Sequence, residues 1–315
     1  MTKGVSFNPD KDIPDLSGKV ILVTGGNTGL GFEVIYQLSK HKPKHIYLAA
    51  RSEQKANEAI KTLRKKNTNA GPITFLQLDL SSFASIKAAA ASFRSMSDRL
   101  DILINNAGIM AVPEGLTEDG YEIQFGINHL GPALFTTTLL LPTIKATAAI
   151  SAEARVIFLS SELENMAPKN SYLFDELKTT LPKFSTWTRY GQSKLAAVHY
   201  AQALANHNPD LKVMSIHPGV IATNLSGPVV RDYNFLMAAL FKVAMKFVTV
   251  RIEEGTLNHL WAATSPDVKS GVFYFPVGVQ GKGSSLSKNS KLRDQLWEWT
   301  EKELESHVNA GYQVA

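Results

Sequence analysis

The 315-residue chain contains no cysteine. That absence excludes disulfides, thiol catalysis and cysteine-based metal sites, while saying little about compartment. Charge of either sign is sparse: 33 Lys and Arg stand against 28 Asp and Glu, a formal net charge of +5. The densest basic cluster, Lys61 to Lys66, reads as the exposed end of an amphipathic helix, so no nucleic-acid partner is expected. Long apolar runs are also missing. The most apolar stretch, Tyr233 to Val250, is interrupted by Lys242 and Lys246 and falls short of the about 20 apolar residues a bilayer span takes. It reads as a substrate lid or subunit contact, with insertion into a membrane surface as the alternative. Met1 to Pro14 is polar, so neither a signal peptide nor an anchor is expected there, and the expected location is cytoplasmic. His217 has no second histidine or carboxylate at metal-ligand spacing; no metal is expected, and a packing role beside Pro218-Gly219 is.

The chain is 44% hydrophobic, enough to bury a large core, and no repeat, low-complexity tract or linker divides it. Strand-like runs recur near residues 19–24, 45–50, 73–78, 101–105, 154–160, 211–216 and 272–275, with helical stretches between them. This alternation predicts a single α/β domain over 1–315: a Rossmann-type, doubly wound parallel sheet of about seven strands flanked by helices. An insertion at about 162–188 and a helical substrate lid at about 224–255 complete the expected organisation.

Val20-Ile21-Leu22-Val23 reads as a buried parallel strand, and Leu30 through Leu38 has helical spacing. Between them lies Thr24-Gly25-Gly26-Asn27-Thr28-Gly29-Leu30-Gly31, with glycines spaced GxxxGxG. A strand, a glycine-rich turn and a helix N-terminus together present backbone amides to a pyrophosphate; a tight connection in which glycine only permits close packing is the other reading. No lysine follows the last glycine as a P-loop requires, so phosphoryl transfer drops out. The next strand ends in Arg51-Ser52, where an NAD site expects an acid for the ribose 2′-hydroxyl and an arginine suits a 2′-phosphate. Arg51 alternatively neutralises Glu53 or Glu58, and Ser52 is the expected N-cap of the following helix.

Tyr190 and Lys194 stand four residues apart, on one face of a helix, so the ammonium is expected to favour the ionised phenol and lower its pKa. Neither Ser160 nor Ser161, at the end of the strand Val156-Ile157-Phe158-Leu159, lies in a GxSxG elbow, which argues against a serine hydrolase.

Five motifs in order, the glycine turn, Asp79-Leu80, Asn105-Asn106-Ala107-Gly108, Ser160-Ser161 and Tyr190 with Lys194, resemble the short-chain dehydrogenase/reductase superfamily. The similarity runs from about Lys19 to the segment Trp297 to Leu304 and is strongest to single-domain members such as retinol dehydrogenases and fungal ketoreductases. The extended branch uses a different glycine spacing. The resemblance implies a nicotinamide cofactor, which Arg51 makes NADP(H), and a set of roles. Gly25, Asn27, Thr28, Gly29, Leu30 and Gly31 would cradle the pyrophosphate. Asp79 would accept from the adenine amino group with Leu80 beside it, unless the Asp-Leu-Ser run is a helix cap. Asn106, Ala107 and Gly108 would line the ribose. Asn128 would hold a water of a proton relay, or satisfy a helix backbone. Ser161 would hold the substrate carbonyl, Tyr190 act as acid and base, and Lys194 bond the nicotinamide ribose. Pro218, Gly219, Val220 and Thr223 match the loop over the nicotinamide, though Thr223 could instead cap a lid helix.

The implied reaction is carbonyl reduction or alcohol oxidation. Leu163, Met166, Tyr172, Phe174, Phe184 and Trp187 in the insertion point to a bulky hydrophobic substrate, although aromatics are also common core fillers. The alternatives are a membrane-surface retinoid or sterol dehydrogenase and a non-catalytic NADP(H) sensor. Homo-oligomerisation is a further expectation for a chain of this kind.

Overall fold

Seven short apolar segments pair in parallel in the order β3-β2-β1-β4-β5-β6-β7. They are β1 Val20–Thr24, β2 His45–Ala50, β3 Ile73–Gln77, β4 Ile102–Asn105, β5 Arg155–Leu159, β6 Lys212–Ile216 and β7 Phe273–Tyr274. The longer helices are α1 Gly29–Ser39, α2 Glu53–Lys66, α3 Phe83–Met96, α5 Thr186–His207, α6 Ile252–Thr264 and α7 Ser290–Leu304. Between α3 and α5, residues 123–150 form an irregular helix, α4, with π turns at Gly126–Leu130 and Leu134–Leu140. The computed structural model describes residues 3–151, 153–170, 172–219, 250–281 and 283–307. Val220, Thr223 and the lid segment through residue 249 lie outside the described residues.

The central strands are mainly apolar, with polar residues at their ends, because both faces of the sheet are covered. Leu22, Tyr47, Leu103, Val156 and Val213 enter one core layer, which Ile86 of α3, Phe125 of α4, Leu195 of α5 and Leu296 of α7 complete. Their strand neighbours Ile21, Ile46, Ile102, Ile157 and Met214 enter the other, with Val34 of α1, Ile60 of α2 and Trp261 of α6. A one-residue slip in any strand would exchange the two sets.

One boundary differs from the sequence reading. Residues 252–255, expected in the lid, are the first turn of α6, and α6 contributes Leu260 and Trp261 to the α1–α2 layer rather than to a cover. Among the described residues no single helix is long and apolar enough to cross a membrane.

The β1–α1–β2 unit winds one way from β1, and β4 lies on its other side, so the strand order reverses between β1 and β4. A crevice opens outside the carboxyl ends of strands at such a reversal, which is where α/β sheets bind ligands. The end of α5 that carries Tyr190 is held by the Ser185 hydroxyl, which accepts from the Thr188 amide at 3.1 Å. Its opposite side is closed by α7, where Glu301 accepts from Tyr200 at 3.3 Å and Trp297 stacks on Tyr200, while Thr300 ties α7 to His129 of α4 at 2.9 Å. The catalytic-helix candidate is therefore buried on most of its circumference despite its polar sequence.

Candidate active site

At the crevice, β1 ends in Thr24 and the chain turns through Gly25 (φ +66°) and Gly29 (φ +55°), left-handed conformations that favour glycine. A side chain on Gly31 would lie 2.4 Å from the Gly25 carbonyl and 2.7 Å from Asn106 Nδ2, so α1 starts tightly against the turn. Both readings of the glycines are thus compatible with one geometry. Thr28 is the N-cap of α1 but its side chain makes no capping bond, which leaves the first-turn amides to another acceptor. The end of β4 is tied to the same place: Asn106 Nδ2 donates to the Thr24 carbonyl at 2.9 Å, and the Ala107 amide to Thr24 Oγ1 at 3.0 Å. Asn106 Oδ1 is buried and has no hydrogen-bond partner among the described residues. An uncapped helix start, a glycine cradle and an orphaned acceptor fit a dinucleotide.

Arg51 is exposed at the end of β2, and among the described residues it makes no ion pair, so Glu53 and Glu58 do not neutralise it. Ser52 caps α2, accepting from the Lys55 amide. Asp79 is half-buried and accepts from the Ser81 amide at 2.9 Å and hydroxyl at 2.7 Å; the cap of α3 is Ser82, not Asp79. Leu80 is buried, its carbonyl packed against Gly131.

Ser161, Tyr190, Lys194, Asn128 and Gly108 converge at the other end of the crevice. Ser160 is committed elsewhere, its hydroxyl donating to the Lys194 carbonyl at 2.7 Å. Ser161 accepts from the Leu163 amide at 3.2 Å, capping the 3-10 turn Glu162–Met166, and its side chain also hydrogen-bonds the Tyr190 phenol. The helix-cap reading and the catalytic placement therefore coexist. Asn128, in the first π turn of α4, grips Ile109 twice: Nδ2 donates to its carbonyl at 2.9 Å and Oδ1 accepts from its amide at 2.8 Å. Nδ2 also donates to Ser193 Oγ at 2.9 Å, so Asn128 braces the Ile109 strand exit rather than a helix backbone. A side chain on Gly108 would come within 2.9 Å of Asn128 Oδ1 and 3.4 Å of Lys194 Nζ.

The electrostatics correct one expectation. The i, i+4 spacing places Lys194 Nζ 5.7 Å from the Tyr190 ring centroid, but the ammonium donates to the Leu159 carbonyl at 2.8 Å. Burial pushes the phenol up to about 12, opposed only in part by the Ser161 bond. Burial also pulls Lys194 down to about 8. Desolvation outweighs the lysine's attraction, so the phenol is held protonated, as a proton donor, in this arrangement.

Pro218 and Gly219 (φ +89°) follow β6 at the same sheet edge. His217 packs edge-on against Phe275 and lies 3.7 Å from the Glu162 carboxylate, and burial pulls it down to about 4. Of the insertion aromatics, Tyr172 is buried in the core, while Phe174 and Phe184 are half-buried and pack against it. The Tyr172 hydroxyl bonds His199 Nδ1 at 2.8 Å, Phe174 stacks on Trp299, and Phe184 packs on the same layer. Met166 is exposed. Trp187, half-buried and in neither core layer, keeps the substrate-side reading.

Gly191 and Arg189 were not singled out from the sequence. A side chain on Gly191 would lie 2.7–2.8 Å from the Leu163 carbonyl, the Ala167 nitrogen and the Met166 carbonyl carbon, so glycine lets the Ser161 turn sit on α5. A glycine inside a helix costs about 1 kcal/mol relative to alanine, a signal visible in the sequence. Arg189 pairs with buried Glu122 at 3.1 Å; nothing local announces a partner 67 residues away.

The profile of the short chain dehydrogenase family matches residues 19–173. A short-chain dehydrogenase/reductase of Aspergillus calidoustus is 35% identical over 93% of this chain and 95% of its own length. The chain belongs to the short-chain dehydrogenase/reductase family. Another short-chain dehydrogenase/reductase, from Armillaria gallica, is 40% identical over 92% of this chain and 91% of its own. A crystal structure from Mycobacterium paratuberculosis superimposes with a TM-score of 0.73 at 26% identity, covering 96% of this chain and 99% of that one. As a short-chain dehydrogenase/reductase, the protein is an oxidoreductase acting on CH–OH or C=O groups with a nicotinamide cofactor and a small-molecule substrate.

Proposed function

We propose that this chain is an NADPH-dependent carbonyl reductase of a bulky hydrophobic ketone, working in reverse as an alcohol dehydrogenase. The hydrogen-bonded Ser161–Tyr190 pair beside the Lys194 ammonium carries the reading. A bound nicotinamide supplies the hydride that adds to the carbonyl carbon. Tyr190, kept protonated to higher pH by its burial, gives its proton to the oxygen on which charge develops. The Ser161 hydroxyl hydrogen-bonds that oxygen, a contribution of about 2–4 kcal/mol for a single oriented donor. Lys194, charged below about pH 8, holds ribose hydroxyls and offsets negative charge at Tyr190. Asn128 keeps Ile109 and Gly108 in place beside that ammonium. Gly25, Asn27, Thr28, Gly29, Leu30 and Gly31 would hold the pyrophosphate, Asp79 and Leu80 the adenine, and Asn106 to Gly108 the ribose. Pro218 and Gly219 would flank the nicotinamide with Val220 and Thr223. Measuring NADPH consumption with a panel of aromatic, polyketide-like and steroid ketones tests the reading; no turnover across the panel would overturn it.

The unpaired Arg51 supports NADP(H) over NAD(H). Arg51→Asp should remove a charge-assisted phosphate contact and weaken NADPH binding about 10- to 100-fold while NADH binding holds or improves. Fluorescence titration with both cofactors checks this, and equal affinities in the unmodified protein would count against the assignment.

The hydrophobic substrate reading rests most on Trp187, since Tyr172 is buried in the core and Phe174 packs against α7. Trp187→Ala should remove roughly 1–3 kcal/mol of apolar contact and raise KM for a large ketone more than for a small one, with NADPH affinity unchanged. Equal losses for both ketones would make Trp187 structural.

A further inference from the structure

Glu164 is 2% exposed, yet among the described residues no lysine or arginine pairs with it. Its carboxylate accepts from one short loop, from the Ser284 amide at 2.7 Å and hydroxyl at 2.6 Å, with the Ser287 hydroxyl as a further donor. A buried carboxylate without a cation is a poor stabilising device compared with an apolar side chain of similar size. Burial pushes the Glu164 carboxyl up, and the Ser284 bonds pull it part-way back.

What the carboxylate joins is specific. Glu164 sits in the 3-10 turn Glu162–Met166 that Ser161 caps, and its amide donates to the Ser161 carbonyl at 3.1 Å. Ser284 begins a tight loop. Gly283 is left-handed (φ +56°), a side chain there would lie 2.3 Å from Ser287 Oγ, and Ser287 bonds back to Ser284 through both its amide and its hydroxyl. That loop is fixed to α5 beyond Lys194, where His199 Nε2 donates to the Leu286 carbonyl at 3.0 Å and Gln202 Nε2 to the Ser287 carbonyl at 3.3 Å. On its other side the same turn rests on Gly191, next to Tyr190. A closed circuit therefore runs from Ser161 through Glu164 and the Ser284 loop to α5 and back to Tyr190.

We infer that Glu164 is a positioning residue: its bonds to Ser284 latch the Ser161 turn against α5 and set the Ser161–Tyr190 hydrogen bond. The inference rests on the carbonyl-reductase reading. Without the latch the turn keeps its cap but loses its tether to the loop, and the Ser161 hydroxyl drifts from the line between the phenol and a substrate oxygen. A shift of about 1 Å in such a constellation is enough to cost 100-fold in rate.

The test is a double-mutant cycle between Glu164→Ala and Ser161→Ala, with NADPH as reductant and 9,10-phenanthrenequinone, a planar aromatic dicarbonyl, as substrate. With Ser161 present, Glu164→Ala should lower kcat about 10- to 50-fold, and with Ser161→Ala in place it should cost about 2-fold or less, a coupling within the range of contacting residues. NADPH affinity should stay within about 2-fold, because the cofactor cradle lies on other elements. Ser284→Ala should act in the same direction with a smaller loss and carries the cycle if Glu164→Ala does not fold. Equal losses in both Ser161 backgrounds would overturn the latch and leave Glu164 a merely structural residue. Normal turnover by Ser161→Ala, or none by the unmodified protein, would instead overturn the functional reading itself.

Discussion

Tyr190→Phe is expected to lower kcat about 10²- to 10⁴-fold, the usual share of a positioned general acid. The substitution keeps the ring, which is 7% exposed and beside Lys194, and deletes only the hydroxyl that bonds Ser161. Packing is therefore preserved, and the NADPH dissociation constant should change by no more than about 2-fold. Because burial holds the phenol near 12, the reduction rate should show no loss from phenol ionisation below pH 10. Stopped-flow turnover paired with cofactor titration separates the two effects. Near-normal turnover in the variant would remove Tyr190 from the proposed mechanism.

Lys194→Met should be nearly as damaging to turnover, about 10²-fold or more, and should also weaken NADPH binding, because one ammonium serves both the phenol and the ribose. The pH behaviour distinguishes this from simple disruption. Lys194 falls from 10.5 to about 8 on burial, so the charge that supports NADPH binding is present below pH 8 and is lost as pH rises through that value. Wild-type affinity should weaken above pH 8, and the Met variant should show no such step. Stability moves the other way. Between pH 8 and 10.5 the unfolded chain binds the lysine proton more tightly than the folded one, so wild-type stability gains with rising pH across that window. The Met variant lacks this gain, and urea midpoints at pH 7 and pH 10 would reveal it. A pH-independent NADPH affinity in the wild type would contradict the role given to the ammonium.

Much of the fold could be read in advance because both faces of the sheet are buried. Val20 to Thr24 and His45 to Ala50 are apolar runs too short for helices, and only a covered parallel strand has that composition. The start of α1 was marked by glycines that must be left-handed or side-chain-free, and the start of α2 by Ser52. The first turn of α6 fell inside the expected lid bounds because the sequence around Arg251 carries no sign that a new helix starts there.

For the site, spacing within one helix could be read and partnership across the chain could not. Tyr190 and Lys194 share a helix face by periodicity, but the carbonyl that captures the ammonium, Leu159, is 35 residues away on another element. Asn128 was marked only by the family resemblance, while its grip on Ile109 depends on a β4 exit folding back to meet α4. Tyr172 looked like a pocket residue because composition cannot tell a wall from a core; its burial against α4 and α5, where its hydroxyl bonds His199, decided the matter.

The sequence by itself determined the sheet, the strand-turn-helix that faces a dinucleotide, and the family, since each depends on local periodicity, glycine conformations or motif order. Only the tertiary structure decided the upward shift of the Tyr190 pKa, the capture of Lys194 and the seating of the Ser161 turn on Gly191 and Glu164. The physical reason is range. Backbone conformation is set by neighbours along the chain, whereas desolvation, hydrogen-bond partners and close backbone approach are set by whatever the fold brings within a few ångströms.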